Sequence, residues 1–248
     1  AVNAAQAAFP AWSGLRNSER AAHLERLATA LEARIDEFAR VEARNGGKPL
    51  ALARDAEIPR AVSNLRFFAH AATQFSSESH HGEAGLNYTL RQPLGVVGTI
   101  SPWNLPLYLF TWKIAPALAA GNTVVAKPSE VTPATAAMFG ELAREAGLPA
   151  GVLNIVHGGG PEVGESIVRH DAVQAVSFTG STVVGRRIAG VAGPLLKKVS
   201  LELGGKNPTL VFADSDWQAH LDTLLRSAFQ NSGQICLCGS RILVERAI

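Results

Sequence analysis

The sequence predicts a doubly wound α/β domain, and three observations carry that prediction. From Gly95 onward, short apolar, β-rich runs alternate with stretches of helical periodicity, the pattern of βαβ units in a mainly parallel sheet covered on both faces. Ahead of them, apolar residues recur at spacings of three and four, as on amphipathic helices. The chain has 248 residues, 47% of them hydrophobic, enough to bury a substantial core at the scale of roughly one to two domains.

In chain order, Glu19 to Ala43 reads as one helix with Leu24, Leu27, Leu31, Ile35 and Phe38 on its apolar face, and a second helix runs through Val62, Leu65 and Phe68. Phe75 to Gly85 is polar and glycine-containing, and Asn87 to Arg91 alternates like an exposed strand, so this stretch reads as an excursion from the main domain. The strand-helix alternation follows: Gly95 to Ile100 then Leu109 to Ala120, Thr123 to Ala126 then Ala134 to Ala146, Leu153 to Val156 then Val163 to Val168, and Ala175 to Phe178 then Val184 to Val191. Val199 to Leu203 alternates as a further strand. No internal repeat or low-complexity tract is present.

The net charge is +2, and no dense basic stretch with interleaved aromatics suits a phosphate backbone, so nucleic acid is not an expected partner. No apolar run reaches the roughly 18 residues that span a bilayer, and the Ala-rich start has no basic segment followed by an apolar signal core. The expectation is a soluble cytoplasmic protein. The only cysteines, Cys236 and Cys238, are too few for a disulfide framework and lack zinc-site spacing, so no metal is expected. The first residue is Ala1, and the last apolar run, Arg241 to Val244, stops almost as it starts; the chain reads as a fragment.

In such sheets ligands bind beyond the carboxyl ends of the strands, which directs attention to the residues just after each run. Asn104, between Pro102 and Pro106, is either part of a rigid helix-capping turn or an amide donor to a developing oxyanion. Lys127 and Glu130 either snorkel to solvent or offer an ammonium and a carboxylate to ribose hydroxyls; that carboxylate would repel the extra phosphate of NADP. His157 to Gly164 carries a G-x-G-x-x-x-G spacing, which is not the usual dinucleotide fingerprint. Phe178 to Gly185 sets free N–H groups at a helix start, with Ser181 as a simple N-cap or as part of a phosphate site. Glu202 lies out of phase with Val199, Leu201 and Leu203; it faces solvent, or faces a cleft where partial burial would raise its pKa and suit it to general-base work. Cys236 follows Gly233 and is either a small buried hydrophobe or a nucleophile activated by nearby positive charge, while Cys238 points elsewhere.

Together these segments resemble the aldehyde dehydrogenase superfamily over essentially the whole chain, closest to the semialdehyde dehydrogenases of aromatic ring cleavage, which oxidise 2-hydroxymuconic or 2-aminomuconic semialdehyde. The motifs are P-W-N with Asn104, K-P-S-E at Lys127 to Glu130, F-T-G-S-T-x-x-G at Phe178 to Gly185, L-E-L-G-G-K-N-P at Leu201 to Pro208, and G-Q-x-C ending at Cys236, all in the family's order. The resemblance implies a three-layer Rossmann-like NAD-binding domain from residues 1–73 and 94–204, an oligomerisation excursion at 74–93, and the start of an α/β catalytic domain at 205–248. About half of the family's usual length would be missing, leaving strand edges and apolar surface exposed.

It further implies NAD as cofactor, with Ser101, Trp103, Lys127 and Glu130 framing the adenosine end and Gly160 near the adenine. Gly180, Ser181, Val184 and Gly185 would lie along the pyrophosphate turn, and Leu203 near the nicotinamide. Cys236 would be the nucleophile, Asn104 and the Cys236 N–H the oxyanion donors, Glu202 the base that activates water, and Lys113 a proton-relay lysine or a helix-surface one. The presence of Glu202 disfavours the branch that acylates coenzyme A. A carboxylate-bearing substrate would suit a bidentate arginine, with Arg54 first and Arg60 in reserve, or both in surface ion pairs. A homo-oligomer, dimer or tetramer, is the implied assembly of a full-length protein.

Overall fold

The computed structural model describes residues 1–248. Helices α1 (Val2–Ser13), α2 (Asn17–Glu32), α3 (Ile35–Gly46), a short α4 (Leu50–Leu52) and α5 (Ile58–Gln74) lead into a two-stranded hairpin, β1 (Ser79–Gly82) and β2 (Gly85–Tyr88). Strands β3 (Val96–Ile100), β4 (Thr123–Lys127), β5 (Leu153–Ile155), β6 (Val173–Gly180) and β7 (Lys198–Leu203) form one parallel sheet in the order β5-β4-β3-β6-β7. Helices α6 (Pro106–Ala119), α7 (Ala134–Glu145), α8 (Glu165–Arg169) and α9 (Thr182–Ala192) connect these strands. A second parallel pair, β8 (Pro208–Val211) with β9 (Arg241–Val244), encloses α10 (Leu221–Phe229) in sequence.

The doubly wound α/β prediction holds. Strand β4 shows why its run is uniformly apolar: Val124 and Ala126 enter one core, while Val125 enters the other. The larger core, beneath α2, α5, α6 and α7, holds Leu24, Leu65, Phe110, Ile114 and Phe139; the smaller, beneath α8 and α9, holds Ile167, Val176, Phe178 and Ile188. Strand order runs outward from β3 to β5, then returns to the other side of β3 at β6. Beyond the carboxyl end of a strand at such a reversal is where open α/β sheets bind ligands. No helix is long and apolar enough to cross a membrane.

Three local expectations are corrected. The single helix predicted from Glu19 to Ala43 is two, broken at Ala33 and Arg34. The apolar series continues across the break, so periodicity does not reveal it. Arg34, non-helical at φ −119°, instead ties the corner to Glu37 at 2.7 Å and to Glu145 of α7 at 3.3 Å. The exposed strand predicted at Asn87 to Arg91 lies earlier, at Gly85–Tyr88, because the tight turn ending at Gly85 (φ 123°) fixes its pairing with Ser79–Gly82. The helix expected from Val163 begins with a π-turn over Gly160–Gly164.

Phe139 of α7 is fully buried and meets Phe110 of α6 edge-on, with centroids 6.0 Å apart. Phe139→Ala is expected to lower the free energy of unfolding by about 3–5 kcal/mol, read by urea denaturation. A loss below about 1 kcal/mol would mean that α7 does not pack as described.

Candidate active site

Two groups of side chains converge beyond the carboxyl ends of the central strands. In the first, β3 ends at Ser101, whose Oγ is buried with no hydrogen-bond partner. An orphaned hydroxyl at the point of strand reversal is an unmet bond available to a ligand. Next to it, Lys127 at the end of β4 is buried to its ammonium, which donates to Glu130 at 2.9 Å. Lys127 foremost, with main-chain N–H groups including that of Gly160, holds the half-exposed Glu130 carboxyl below its usual pKa. A Cβ at Gly160 would meet open space, so this turn leaves room beside Glu130. Trp103 is exposed, and its carbonyl accepts from Thr132 Oγ1 at 3.2 Å.

Ser181 caps α9, its Oγ accepting from the Val184 N–H at 3.3 Å. Val184 is exposed, and Gly185 is buried where a Cβ would collide with Leu203 of β7; its lack of a side chain lets α9 lie close on that strand. Gly180, at the end of β6, is likewise closed off by the ring of Phe178.

The second group carries the thiol. After α10 the chain makes a left-handed turn through Asn231 (φ 52°), Ser232 (φ 58°) and Gly233 (φ 73°). Two consecutive non-glycine residues in this region are strained, and such strain collects at functional sites. The turn presents Cys236 in the open, while Cys238 is buried with its thiol toward the Gln230 carbonyl at 3.9 Å. The Asn104 Nδ2 donates to the Gln234 carbonyl at 2.7 Å, two residues before Cys236. One amide N–H is thus engaged in orienting the side chain, and the second is left for another acceptor. Asn207 Nδ2 donates to the Cys236 carbonyl at 2.7 Å, fixing the peptide that carries the thiol.

Lys113, buried in α6, donates from Nζ to Ser177 Oγ of β6 at 3.1 Å. Residues paired across a parallel sheet share a face, so Ser177 with Ser200, and Thr179 with Glu202, place Glu202 on this same side. Glu202 itself is exposed at the sheet's edge rather than partly buried.

The sequence model of the aldehyde dehydrogenase family matches residues 1–248. This chain belongs to the aldehyde dehydrogenase family. It is 53% identical over 252 residues to 2-aminomuconic semialdehyde dehydrogenase of Danio rerio, with 100% of this chain and 51% of the relative covered. It is 48% identical over 255 residues to 2-hydroxymuconic semialdehyde dehydrogenase of Pseudomonas sp. (strain CF600), with 100% and 52% covered. Among solved structures it superposes with a TM-score of 0.96 and 42% identity on PnpE, a protein of Pseudomonas sp. WBC-3, in complex with nicotinamide adenine dinucleotide, covering 100% of this chain and 51% of that one. The chain spans about half the length of the curated relatives it matches.

Within this aldehyde dehydrogenase fold, the two candidate arginines separate. Arg54, the sequence's first choice, is exposed and bonded to its neighbour Asp55 at 2.7 Å. It sits in a π-turn, Ala53–Glu57, whose extra residue per turn shifts the side-chain phase that a regular helix would give. Arg60, beyond that turn, lies over the Tyr108 ring, 5.7 Å from its centroid, without a carboxylate partner. Side chains that the sequence reading left without a role also enter the site: Lys48, Glu57, Ser177, Asn207 and Asn231. Only Asn207 stood inside a recognised motif. The others meet the site through contacts between elements distant in sequence, which no spacing in the chain announces.

Burial pushes the Lys113 pKa down to about 8 from an ordinary 10.5, with Glu202 opposing the shift. Between these values the unfolded chain binds more protons than the folded one, so stability rises with pH through that window and the penalty is complete below about 8. Lys113→Met is expected to stabilise the chain by about 1–3 kcal/mol at pH 7, an advantage lost above pH 10.5. Urea unfolding at both pH values checks this; an equal gain at the two would remove the desolvation argument.

Proposed function

We propose that this chain supplies the cofactor-binding half and the nucleophile of an NAD-dependent aldehyde dehydrogenase that converts a muconic-type semialdehyde to its carboxylic acid. The observation that carries the reading is the Asn104 side chain hydrogen-bonded at 2.7 Å to the Gln234 carbonyl beside the exposed Cys236. That arrangement brings an oxyanion donor and a thiol from residues 130 or more apart in sequence into one place.

The Cys236 thiolate adds to the aldehyde carbon, and the electron pair displaced to oxygen is held by the free Asn104 N–H and the Cys236 N–H. Bound NAD supplies the acceptor for the aldehyde hydrogen and its electron pair. Glu202 then takes a proton from the water that attacks the thioester carbon; the C–S bond breaks, and the acid leaves with the thiol restored. Lys113, packed against the sheet face that carries Glu202 and with its pKa lowered to about 8, passes that proton onward. The unpartnered Ser101 hydroxyl, the Lys127–Glu130 pair and the space at Gly160 suit a nucleoside with free ribose hydroxyls, and Ser181 with the first turn of α9 suits its pyrophosphate. Arg60 over Tyr108 is the cation for the substrate's carboxylate. The exposed β1–β2 hairpin is the element that would join copies into a homo-oligomer.

In a full-length dehydrogenase carrying this segment, 2-hydroxymuconic semialdehyde is expected to yield NADH, and Cys236→Ala is expected to abolish turnover while NAD still binds. Activity surviving in Cys236→Ala would sink the mechanism, and dependence on coenzyme A or phosphate would replace hydrolysis with acyl transfer. Arg60→Met is expected to raise KM for the semialdehyde about tenfold or more and leave simple aliphatic aldehydes unaffected. Equal effects on both would remove Arg60 from carboxylate recognition. Glu130→Gln, which removes the charge facing a 2′-phosphate, is expected to narrow the preference for NAD over NADP about tenfold, read from the two kcat/KM values.

A further inference from the structure

Lys48 and Glu57 form the one ion pair in this chain with both side chains buried, 5% and 4% exposed, with Nζ and Oε2 2.5 Å apart. Burying two charges is costly unless further hydrogen bonds satisfy them. Glu57 is not fully satisfied: its Oε1 is buried with no partner. Its carboxyl is pushed up to about 6 by burial and by the facing Glu42 carboxylate, against the pull of Lys48. The pair is therefore not arranged for the comfort of Glu57. What it does provide is a fixed ammonium, and Lys48 Nζ makes its second hydrogen bond, 2.9 Å, to the main-chain carbonyl of Asn104.

That carbonyl accepts a second bond, 3.0 Å, from Asn231 Nδ2 in the strained turn before Cys236. The Asn104 peptide is gripped from two elements distant in sequence, while its side chain reaches the Gln234 carbonyl. With the carbonyl held, and φ fixed at Pro102 and Pro106, the main chain that carries Asn104 is restricted. Lys48 follows Gly47, whose φ of 70° turns the chain inward at the end of α3, and Glu57 closes the π-turn. Both irregularities place this pair beneath Asn104.

We propose that Lys48, held by Glu57, is a positioning residue that fixes the Asn104 carbonyl and so aims the Asn104 amide at the Cys236 turn. Its effect on turnover rests on the aldehyde-oxidising function proposed above; its effect on Asn104 does not.

Two readouts separate these. In the 248-residue chain, exchange of the Asn104 side-chain amide protons with solvent, followed by NMR, is expected to quicken about tenfold or more in Lys48→Met and to return towards wild type in Lys48→Arg. In a full-length dehydrogenase carrying this segment, Lys48→Met is expected to lower kcat about tenfold to a hundredfold, leaving KM for NAD and the alkylation rate of Cys236 by iodoacetamide unchanged. In an Asn104→Ala background the same substitution is expected to cost nothing further, because the two act as a unit. Glu57→Gln keeps Lys48 and gives the same pattern at smaller size, which preserves the test should Lys48→Met not fold. Unchanged amide exchange, or a loss that multiplies with that of Asn104→Ala, overturns the proposal. A wild type that oxidises no aldehyde overturns the functional reading, and the amide exchange then decides the positioning by itself.

Discussion

Strand β3 is paired on both edges, with β4 and β6, and covered on both faces by separate cores. Gly98 at its centre lets Ile167 of α8 sit where a side chain would stand, so helix and strand approach without a gap. Because β3 cannot shift or twist independently, its carboxyl end is a fixed reference. Ser101 follows it directly, Asn104 comes at a set distance along the chain, and α6 begins at Pro106. The N-terminus of α6 is anchored in turn by the buried Glu42, which accepts from the Leu107 N–H at 3.1 Å and from Thr135. Helix α6 then carries Tyr108 and Lys113 to opposite tasks, one half-buried against Arg60 and one buried beneath Ser177.

The site gathers several groups that a stable fold ordinarily avoids. A lysine is buried without an ion pair, two non-glycine residues adopt left-handed backbone, a serine hydroxyl has no partner and a carboxylate oxygen is orphaned. Each is destabilising in isolation, and the large apolar core of the fold is the stabilising counterweight. The second parallel pair, β8 with β9, is different. Its residues are mostly exposed, as are Leu225 and Phe229 of α10, and two strands make a marginal sheet on their own. Contacts from Asn104, Asn207 and Asn231 tether the cysteine turn to the rest of the fold.

Periodicity and local chemistry were sufficient for the parallel sheet, its connecting helices and the residues at strand ends, because those signals come from neighbours two, three or four positions apart. The motifs gave Cys236, Asn104 and Glu202 by the same locality. Periodicity did not show the corner at Arg34, since Leu31 and Ile35 keep the helical spacing through the break, where Arg34 pairs with Glu145 of α7. Sequence alone put Arg54 ahead of Arg60 as the substrate's cation without access to their surroundings. Arg54 lies in a π-turn bonded to Asp55, and Arg60 lies over the distant ring of Tyr108.

The sequence by itself determined the parallel sheet, its connecting helices and the residue types that make Cys236, Asn104 and Glu202 candidates for chemistry, since these follow from local pattern and residue type. Tertiary structure decided who supports them. Lys48 reaches Asn104 across 56 positions, Asn231 across 127, and Lys113 meets Ser177 across 64. A buried charge takes whatever acceptor the crossing of two elements brings within about 3 Å, and that crossing is set by how the whole core packs.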